Sequence, residues 1–547
     1  VLDAMTSCAA LGDPSRGFSR PELLMYVETA IARRLDDPLT VLAILRACAE
    51  SEDGCLAHCR RIFCRRTPFH AYVVEDHDSL SGVPLRGYGS SGEWKAVVFG
   101  LVGVFLYGLR GLATALQWSR NEGRGVSARA ASTRKIAVRY FHGVDRLKRN
   151  DLPWFWGSGL SPEQVLLYFD GFKRSPSDEV IRQIEEQGFA WTCFGEGESG
   201  GWGSAIPRDA LRTVFRALRS VWRTARRSSV LSWWLWHRLV SLDRQVDVWS
   251  GFFRTNEVGV HVHSGTTSPD AVSLRFAVER ADGLDVQFQH STMEFAQLQQ
   301  HTVAAGHAYF AWGPLFVNQM RDLGIRPEKT LMSGHVYGLC DAFVVDRARR
   351  RKSSLTAAGC DFVLCVFDSS FSRDIYYTWD TMRRFYAAIL SAADQDEHLG
   401  LVIKPKNAEN LDRLGGTRSS LQELCDEGRC LILDSSVTSV EAALSSDLTA
   451  GIGLNSAVLD GVVAGVPGVH VDISDLRTLF PFCENGLGRF VFRTADDFLE
   501  GLADRRIAPD SNALGNHGSW RMQLDPYLDG LGGQRIGTFV GWALDAL

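Results

Sequence analysis

What the chain lacks already narrows its possible functions. The formal net charge of the 547 residues is only −5, from 59 basic and 64 acidic side chains. Proteins that bind nucleic acid through phosphate contacts usually carry a basic surplus, so we expect no nucleic-acid partner. The twelve cysteines are scattered and form no dense framework like that of a small disulfide-rich domain. We therefore expect reduced thiols and a cytoplasmic protein.

Patterns that would bind a metal are also scarce. Cys55, His58, Cys59 and Cys64 lie close together, but their spacing fits no standard zinc pattern. No Asp-x-Asp pair follows a predicted strand. Lysines and helix N-termini can balance the charge of a phosphate without a metal. We expect neither a metal nor a cofactor.

One segment is long and apolar enough to raise the question of a membrane span. Residues 97–116 would just cross a bilayer, but Arg110 and several glycines lie inside the run. A buried or membrane-surface helix fits it better. A basic stretch with nearby tryptophans, typical of helices on anionic membranes, follows at 208–246; the alternative is a solvated basic face over packed tryptophans. Its main residues are Arg212, Arg216, Arg219, Arg223, Trp222, Trp233, Trp234 and Trp236.

Two stretches of the chain alternate between short apolar strands and helices. The first series of predicted strands covers 134–142, 164–169, 189–193, 258–263, 284–288, 307–312 and 329–333. The second covers 361–367, 399–403, 430–433, 448–452 and 468–471. Such alternation is typical of parallel sheets covered by helices, whose ligands lie beyond the carboxyl ends of the strands.

The chain is too long for one core, so these two series predict two domains. We predict an α/β protein with Rossmann-like domains at 131–345 and 346–547, facing a cleft. A mainly helical extension at 1–130 precedes them, with a possible role at the membrane. The polar run 348–358 is the predicted crossing between the two domains.

Several motifs resemble those of one enzyme class. They are Phe288-Gln-His-Ser291, the pair Trp312-Gly313, and 323–335, which reads LGI-x-x-x-K-x-x-x-SGH. Together they resemble the end of the first domain in GT-B glycosyltransferases that build bacterial capsules, O-antigens and teichoic acids. Ser291 stands where Gly is usual, and His335 replaces a more frequent Asn or Tyr. The resemblance covers about residues 250–480.

That resemblance implies a nucleotide-sugar donor and a polysaccharide or lipid-linked acceptor at the inner face of the membrane. Asn455 and Ser456 open a predicted helix whose N-terminus suits a phosphate. Asp460, one turn further on, matches the acidic residue that commonly binds the nucleotide ribose in such enzymes. Lys404 and Lys406 follow a strand and are predicted to meet the diphosphate or a sugar carboxylate. Ordinary helix caps and surface loops are the alternatives.

The candidate catalytic residues depend on the stereochemistry of transfer. His290 is the candidate base for an inverting reaction, because a neutral imidazole can take the proton of an acceptor hydroxyl. A retaining reaction would instead need a carboxylate, for which Asp270, Asp145 and Glu294 are candidates. The predicted cleft wall and donor site also include His263, Ser264, Thr266, His335 and Ser369.

We therefore predict transfer of a sugar, or of a sugar-like acid or polyol phosphate, from a nucleotide donor. Two alternatives stay open. A nucleotide-sugar 2-epimerase on the same fold would need carboxylates and histidines clustered in the cleft, and would act without an acceptor. A non-catalytic GT-B-like assembly subunit would have lost nucleotide affinity.

Overall fold

The computed structural model describes two short strands, Ile62–Arg65 (β1) and Leu85–Tyr88 (β2), and most of residues 134–547. Excluded from the second part are 142, 147–149, 171–175, 195–229, 265–269, 292–303, 323–324, 326, 338–341, 370–376, 435, 474–481 and 508–513. β1 and β2 pair in parallel, inside the extension that we predicted to be mainly helical. The apolar segment 97–116 lies outside the described residues. No described helix combines the length and the apolar character that crossing a membrane requires.

The first large sheet has seven strands, all parallel. They are Lys135–Arg139 (β3), Val165–Asp170 (β4), Ala190–Phe194 (β5), Val258–Ser264 (β6), Leu284–Phe288 (β7), Ala308–Ala311 (β8) and Lys329–Met332 (β9). Their order across the sheet is β5-β4-β3-β6-β7-β8-β9. The chain therefore reverses direction across the sheet between β3 and β6, as in a Rossmann domain.

The second sheet repeats this plan with six parallel strands. They are Phe362–Phe367 (β10), Leu399–Lys404 (β11), Cys430–Ile432 (β12), Leu448–Ile452 (β13), Gly468–Val471 (β14) and Val491–Phe492 (β15). The order is β12-β11-β10-β13-β14-β15. Two Rossmann-like sheets in one chain are the arrangement of the GT-B fold, so the predicted fold class is confirmed.

Helices connect the strands of both sheets. In the first part of the chain they are Asp178–Glu186 (α1), Val230–Thr255 (α2), Asp270–Glu279 (α3) and Pro314–Asp322 (α4). In the second they are Ala342–Ala357 (α5), Trp379–Gln395 (α6), Glu409–Asp412 (α7), Thr417–Asp426 (α8), Ser439–Leu444 (α9), Ser456–Val463 (α10), Phe482–Asn485 (α11), Ala495–Ile507 (α12), Trp520–Leu524 (α13) and Gly532–Asp545 (α14).

The predicted crossing at 348–358 lies between β9 of the first sheet and β10 of the second, and most of the run belongs to α5. Two arginines of α5 form ion pairs with the second domain: Arg347 and Arg351 both bind the buried carboxylate of Glu441 on α9. The crossing and the division at 345/346 remain predictions.

The last helix, α14, returns to the first sheet. Phe539 packs on Phe310 of β8 with ring centroids 5.3 Å apart, and Arg535 donates to the backbone oxygen of Ser333 at 3.0 Å. Gly533 and Gly537 permit a close approach, because a Cβ on either would lie 2.0 or 2.1 Å from the carbonyl oxygen of Pro153 or Trp154. The end of the chain is therefore part of the first sheet's packing.

Candidate functional site

The switch point of the second sheet lies between β10 and β13, where ligands of Rossmann-like sheets bind. Asp368 directly follows β10, and Asn455 follows β13 after a short turn. The Asn455 side-chain amide donates to the backbone oxygen of Asp368 at 2.9 Å. The two loops that border the crevice are thus joined by a hydrogen bond.

The first turn of α10 is held in a fixed position at this crevice. The Asn455 side-chain oxygen accepts from the backbone N–H of Ala457 at 2.9 Å and caps the helix. The backbone N–H of Asn455 donates to Nδ1 of His470 on β14 at 3.2 Å. Burial lowers the pKa of His470 to about 3, so this imidazole is neutral and can accept the bond. Gly453 leaves no room for a side chain, because a Cβ there would collide with the Tyr377 hydroxyl. Ser456, the first helical residue, is partly exposed.

Asp368 organises the loop that carries the two predicted lysines. Its carboxylate accepts from the Lys406 backbone N–H, from the Asn410 side chain at 2.9 Å and from the Tyr386 hydroxyl at 3.2 Å. Burial nevertheless raises the pKa of Asp368 to about 6, against the effect of these hydrogen bonds and of Lys404. The Asp368 carboxyl group therefore gains or loses its proton near pH 6.

Lys404 and Lys406 lie at the carboxyl end of β11, beside this loop. Lys404 is half-buried, and burial lowers its pKa although Asp368 and Asp434 oppose the shift. Lys406 is exposed. The backbone oxygen of Ser369 accepts from Asn410 at 3.2 Å, so Ser369 belongs to the same loop. The structure brings together five predicted donor residues here: Ser369, Lys404, Lys406, Asn455 and Ser456.

Asp460 makes a contact that the sequence did not predict. Its Oδ1 lies 2.9 Å from Nε2 of His335, and Ser439 of α9 donates to its other oxygen. His335 and Asp460 are both buried. Because a carboxylate only accepts, His335 Nε2 carries the proton of this bond. The role of Asp460 as a ribose ligand stays a prediction.

His335 is fixed from the first sheet and from the end of the chain. Its backbone N–H donates to Asp525 at 3.0 Å, and its ring packs edge-on against Trp312, with centroids 4.4 Å apart. The Asp525 side chain also accepts from the N–H groups of Tyr527 and Leu528, so it forms a local turn. The Asp525-Pro526 pair signals such a turn, but no sequence pattern signals the bond to His335.

His290 lies near this contact, at the end of β7. It is partly exposed, and its Nδ1 lies 3.5 Å from the hydroxyl of Tyr337. Tyr337 in turn lies edge-on to Trp312, with centroids 6.2 Å apart. Gln289 shapes the loop by accepting from the Trp312 N–H at 2.9 Å and donating to the Ser291 oxygen at 3.0 Å. His290 and His335 therefore both contact Tyr337, which lies beside Trp312. The sequence did not indicate that Tyr337 belongs to the site.

The remaining candidates are more scattered. Ser264 ends β6, is partly exposed, and its carbonyl oxygen lies 3.1 Å from Nδ1 of His263. Asp145 follows β3, and its backbone oxygen accepts from Asn150 at 2.9 Å. Asp270 begins α3, but its side chain is outside the described part. Thr266 and Glu294 also lie outside the described residues.

Comparison with known proteins gives likeness only to solved structures. No protein-family model matches the chain, and no curated protein matches it. The UDP complex of S. aureus MnaA is 11% identical, covers 76% of this chain and 98% of its own, and superposes with a TM-score of 0.45. A variant of the wall teichoic acid polymerase TagF is also 11% identical, with 81% and 99% covered and a TM-score of 0.44.

A third similar structure is the sucrose-phosphate synthase of Thermosynechococcus elongatus. It is 10% identical, with 76% of this chain and 100% of its own covered and a TM-score of 0.40. Proteins that are this distant share a fold without necessarily sharing a reaction. The fold assignment therefore depends on the two sheets, and the functional argument on the residues of the site.

Proposed function

We propose that this protein transfers a sugar, or a sugar-like acid or polyol phosphate, from a nucleotide donor to a polysaccharide or lipid-linked glycan. One observation carries the proposal. At the switch point of the second sheet, Asp368, Asn455 and the first turn of α10 form a hydrogen-bonded rim beside Lys404.

The polarity of this rim suits a diphosphate. The N-terminus of α10 is the positive end of a helix dipole, and Lys404 and Lys406 add cationic side chains at the neighbouring strand end. The half-buried Lys404 interacts with an anion more strongly than an exposed lysine would, because water screens it less. In this proposal the donor phosphates need no metal ion.

The first domain supplies the proposed base. Tyr337 and Trp312 lie between His290 and His335. The bond from His335 to Asp460 joins the loop after β9 to the donor helix α10. A neutral imidazole in this position can take a proton from an acceptor hydroxyl while the nucleotide leaves from the opposite domain. This arrangement corresponds to an inverting transfer.

We assign the acceptor to the first domain and the enzyme to the inner face of the membrane. The assignment comes from the resemblance of the 288–335 motifs and from the basic, tryptophan-rich stretch at 208–246. An acceptor that is attached to a lipid would bring such a protein to the membrane surface.

Thermal unfolding with a panel of nucleotides tests the donor site. A ligand that binds only the folded state, at a hundred-fold excess over its dissociation constant, stabilises by about 2.7 kcal/mol. We expect a UDP, CDP or CMP compound to raise the unfolding temperature of the wild type and of Lys329→Ala, a control at an exposed lysine of β9. The shift should be reduced or lost in Lys404→Ala and Asn455→Ala. No shift with any nucleotide would overturn the donor site and favour a non-catalytic subunit.

A second assay separates transfer from epimerisation. The purified protein is incubated with the donor that gave the shift, with and without a membrane extract that contains lipid-linked glycans. Acceptor-dependent release of free nucleotide supports the transferase. A change in the sugar of the intact donor without any acceptor would identify a 2-epimerase instead.

A further inference from the structure

Three titratable side chains meet inside the first sheet, away from the donor residues. His261 and His263 lie on the same face of β6, and Asp285 faces them from β7. His261 Nδ1 is 2.7 Å from one carboxylate oxygen of Asp285, and His263 Nε2 is 3.2 Å from the other. The exposed fractions of His261, His263 and Asp285 are 0%, 6% and 0%. Strands of a parallel sheet are usually filled by apolar residues, so this cluster needs an explanation.

The outer nitrogens of both imidazoles are also engaged. His263 Nδ1 lies 3.1 Å from the carbonyl oxygen of Ser264, and His261 Nε2 lies 2.9 Å from the hydroxyl of Tyr168. Histidines that bind a metal characteristically donate their other ring N–H to an oxygen atom, which fixes the ring and its tautomer. Both histidines already have that outer partner, so the ring atoms directed at Asp285 are the ones available to a metal.

The spacing of the three inner atoms fits a small ion. A tetrahedral zinc with bonds of about 2.0–2.1 Å separates neighbouring ligand atoms by about 3.3 Å. The two measured separations, 2.7 and 3.2 Å, are close to this value, and all three ligand atoms lie within 4.8 Å of one another. Small ring rotations would therefore open the site without a change in the backbone.

We propose that His261, His263 and Asp285 bind a divalent transition-metal ion, with Zn²⁺ as the expected species. Two imidazoles and one carboxylate suit Zn²⁺ better than Mg²⁺ or Ca²⁺, which prefer oxygen ligands. Within the described part of the chain, no fourth histidine, cysteine or carboxylate joins this cluster. The fourth position is then left to a water molecule or another small ligand.

Binding would replace the contacts of two ring nitrogens with Asp285. A proton on either of these nitrogens is released or moves to the outer nitrogen of the same ring, which faces an oxygen atom. The rival to a metal is a metal-free, hydrogen-bonded cluster of His261, Asp285 and His263.

The metal would link β6 to the start of β7, because His261 pairs in register with Asp285. The site is close to Ser264 in the chain but distinct from Lys404, Asn455 and the other donor residues of the second sheet. It does not depend on the proposed function. Burial lowers the pKa of His261, and Asp285 opposes this shift more strongly than His263 and Arg139 add to it.

Metal analysis of the full chain, purified without a polyhistidine tag, tests the proposal. We expect about one Zn²⁺ per chain by mass spectrometry, and the visible bands of tetrahedral Co²⁺ when the chelator-treated protein is titrated with CoCl₂. We also expect Zn²⁺ to raise the unfolding temperature of the metal-free protein. The absence of bound metal, of Co²⁺ bands and of a temperature shift would overturn the proposal and support the metal-free, hydrogen-bonded cluster.

Two substitutions locate the site. His263→Gln and Asp285→Asn should weaken Co²⁺ binding at least tenfold, whereas His398→Gln, at an exposed histidine of the second domain, should leave it unchanged. Unaltered Co²⁺ bands in both folded variants would mean a site elsewhere in the chain and would also overturn the assignment. If the variants do not fold, the wild-type titration can still overturn the proposal, because the absence of bound metal is tested without any substitution.

Discussion

The imidazole of His335 and the carboxylate of Asp460 are hydrogen-bonded at 2.9 Å, although 125 residues separate them in the chain. One follows the last strand of the first sheet, and the other lies on the helix that opens at the crevice of the second. Both are buried. The bond therefore connects the proposed donor helix to the domain that carries His290.

The first prediction concerns this bond. Asp460→Ala should lower the free energy of unfolding by about 1–3 kcal/mol, because it leaves the buried N–H of His335 and the Ser439 hydroxyl without this acceptor. Asp460→Asn keeps an acceptor for His335 and should cost much less. Denaturant unfolding measures both, with Asp412→Ala, at an exposed ion pair with Arg418, as a control expected to stay within about 1 kcal/mol of the wild type. Equal losses for Asn and Ala would contradict this account.

The second prediction concerns the return of α14 to the first sheet. Gly533→Ala and Gly537→Ala should each destabilise by about 1–3 kcal/mol or more, because the new methyl group would meet a backbone carbonyl that has no room to move. Gly541→Ala on the same helix is the matched control. Its Cβ would have its nearest neighbour at 3.4 Å, so the helix propensity of alanine should keep the change near zero or make it stabilising. A neutral Gly537→Ala would show that α14 does not pack as described.

The third prediction is a loss of stability in acid. Burial lowers the pKa of His470 to about 3 and that of His517 to about 4, so between pH 6.5 and 4 the unfolded chain binds more protons at these rings than the folded one. Stability therefore falls as pH falls through this window. Asp368 has the opposite effect on stability. Its pKa is raised to about 6, so as pH falls the folded state binds a proton at this carboxylate before the unfolded chain does. From these three groups we expect a net loss of roughly 3 kcal/mol between pH 7 and 4.5.

Asp368→Asn tests the sign of that compensation. Without the carboxyl group, the acid-induced loss should become larger than in the wild type when unfolding is measured at pH 7 and at pH 4.5. A smaller loss in the variant would mean that Asp368 is not protonated early in the folded state.

The fourth prediction concerns donor binding and pH. Protonation of Asp368 near pH 6 removes a negative charge beside the proposed phosphate site. Affinity for a nucleotide sugar, whose phosphodiester groups do not titrate here, should therefore rise between pH 7.5 and 5.5 by roughly twofold to tenfold. Calorimetric titration measures the profile, and Asp368→Asn should flatten it. A profile that keeps its slope in the variant would assign the effect to another group.

The fifth prediction concerns His290. His290→Gln should lower kcat for transfer by roughly 10²–10⁴-fold, because the reaction loses its proposed general base. Nucleotide-sugar affinity should stay near the wild-type value, since the proposed phosphate contacts at Lys404 and Asn455 belong to the other domain. His398→Gln, at an exposed histidine of the second domain, is the control. Full activity in His290→Gln would exclude the residue as the base.

The sequence predicted the strands well because each is a short apolar run that ends in small or polar residues. β7, β13 and β14 have the predicted bounds, and β3 and β8 are shorter than predicted by a few residues at their ends. The cap at Asn455 was also predictable, since its side chain binds a backbone group only two residues away. A hydrogen bond between near neighbours in the chain can be recognised from the residue types at those positions.

The packing of α5 shows what composition cannot reveal. Arg347 and Arg351 on α5 both contact Glu441 on α9, so charges within this polar segment are partners in packing. No periodicity within α5 reveals a carboxylate about ninety positions further along the chain.

The sequence by itself determined two series of parallel strands and the candidate residues at their ends. Both follow from the alternation of apolar runs and polar loops, which depends on neighbours in the chain. Only the tertiary structure decided that Asp460 is hydrogen-bonded to His335, that α14 packs against the first sheet, and that two histidines of β6 contact Asp285. Such contacts depend on which strands become neighbours in a sheet, and strand order is a property of the whole fold.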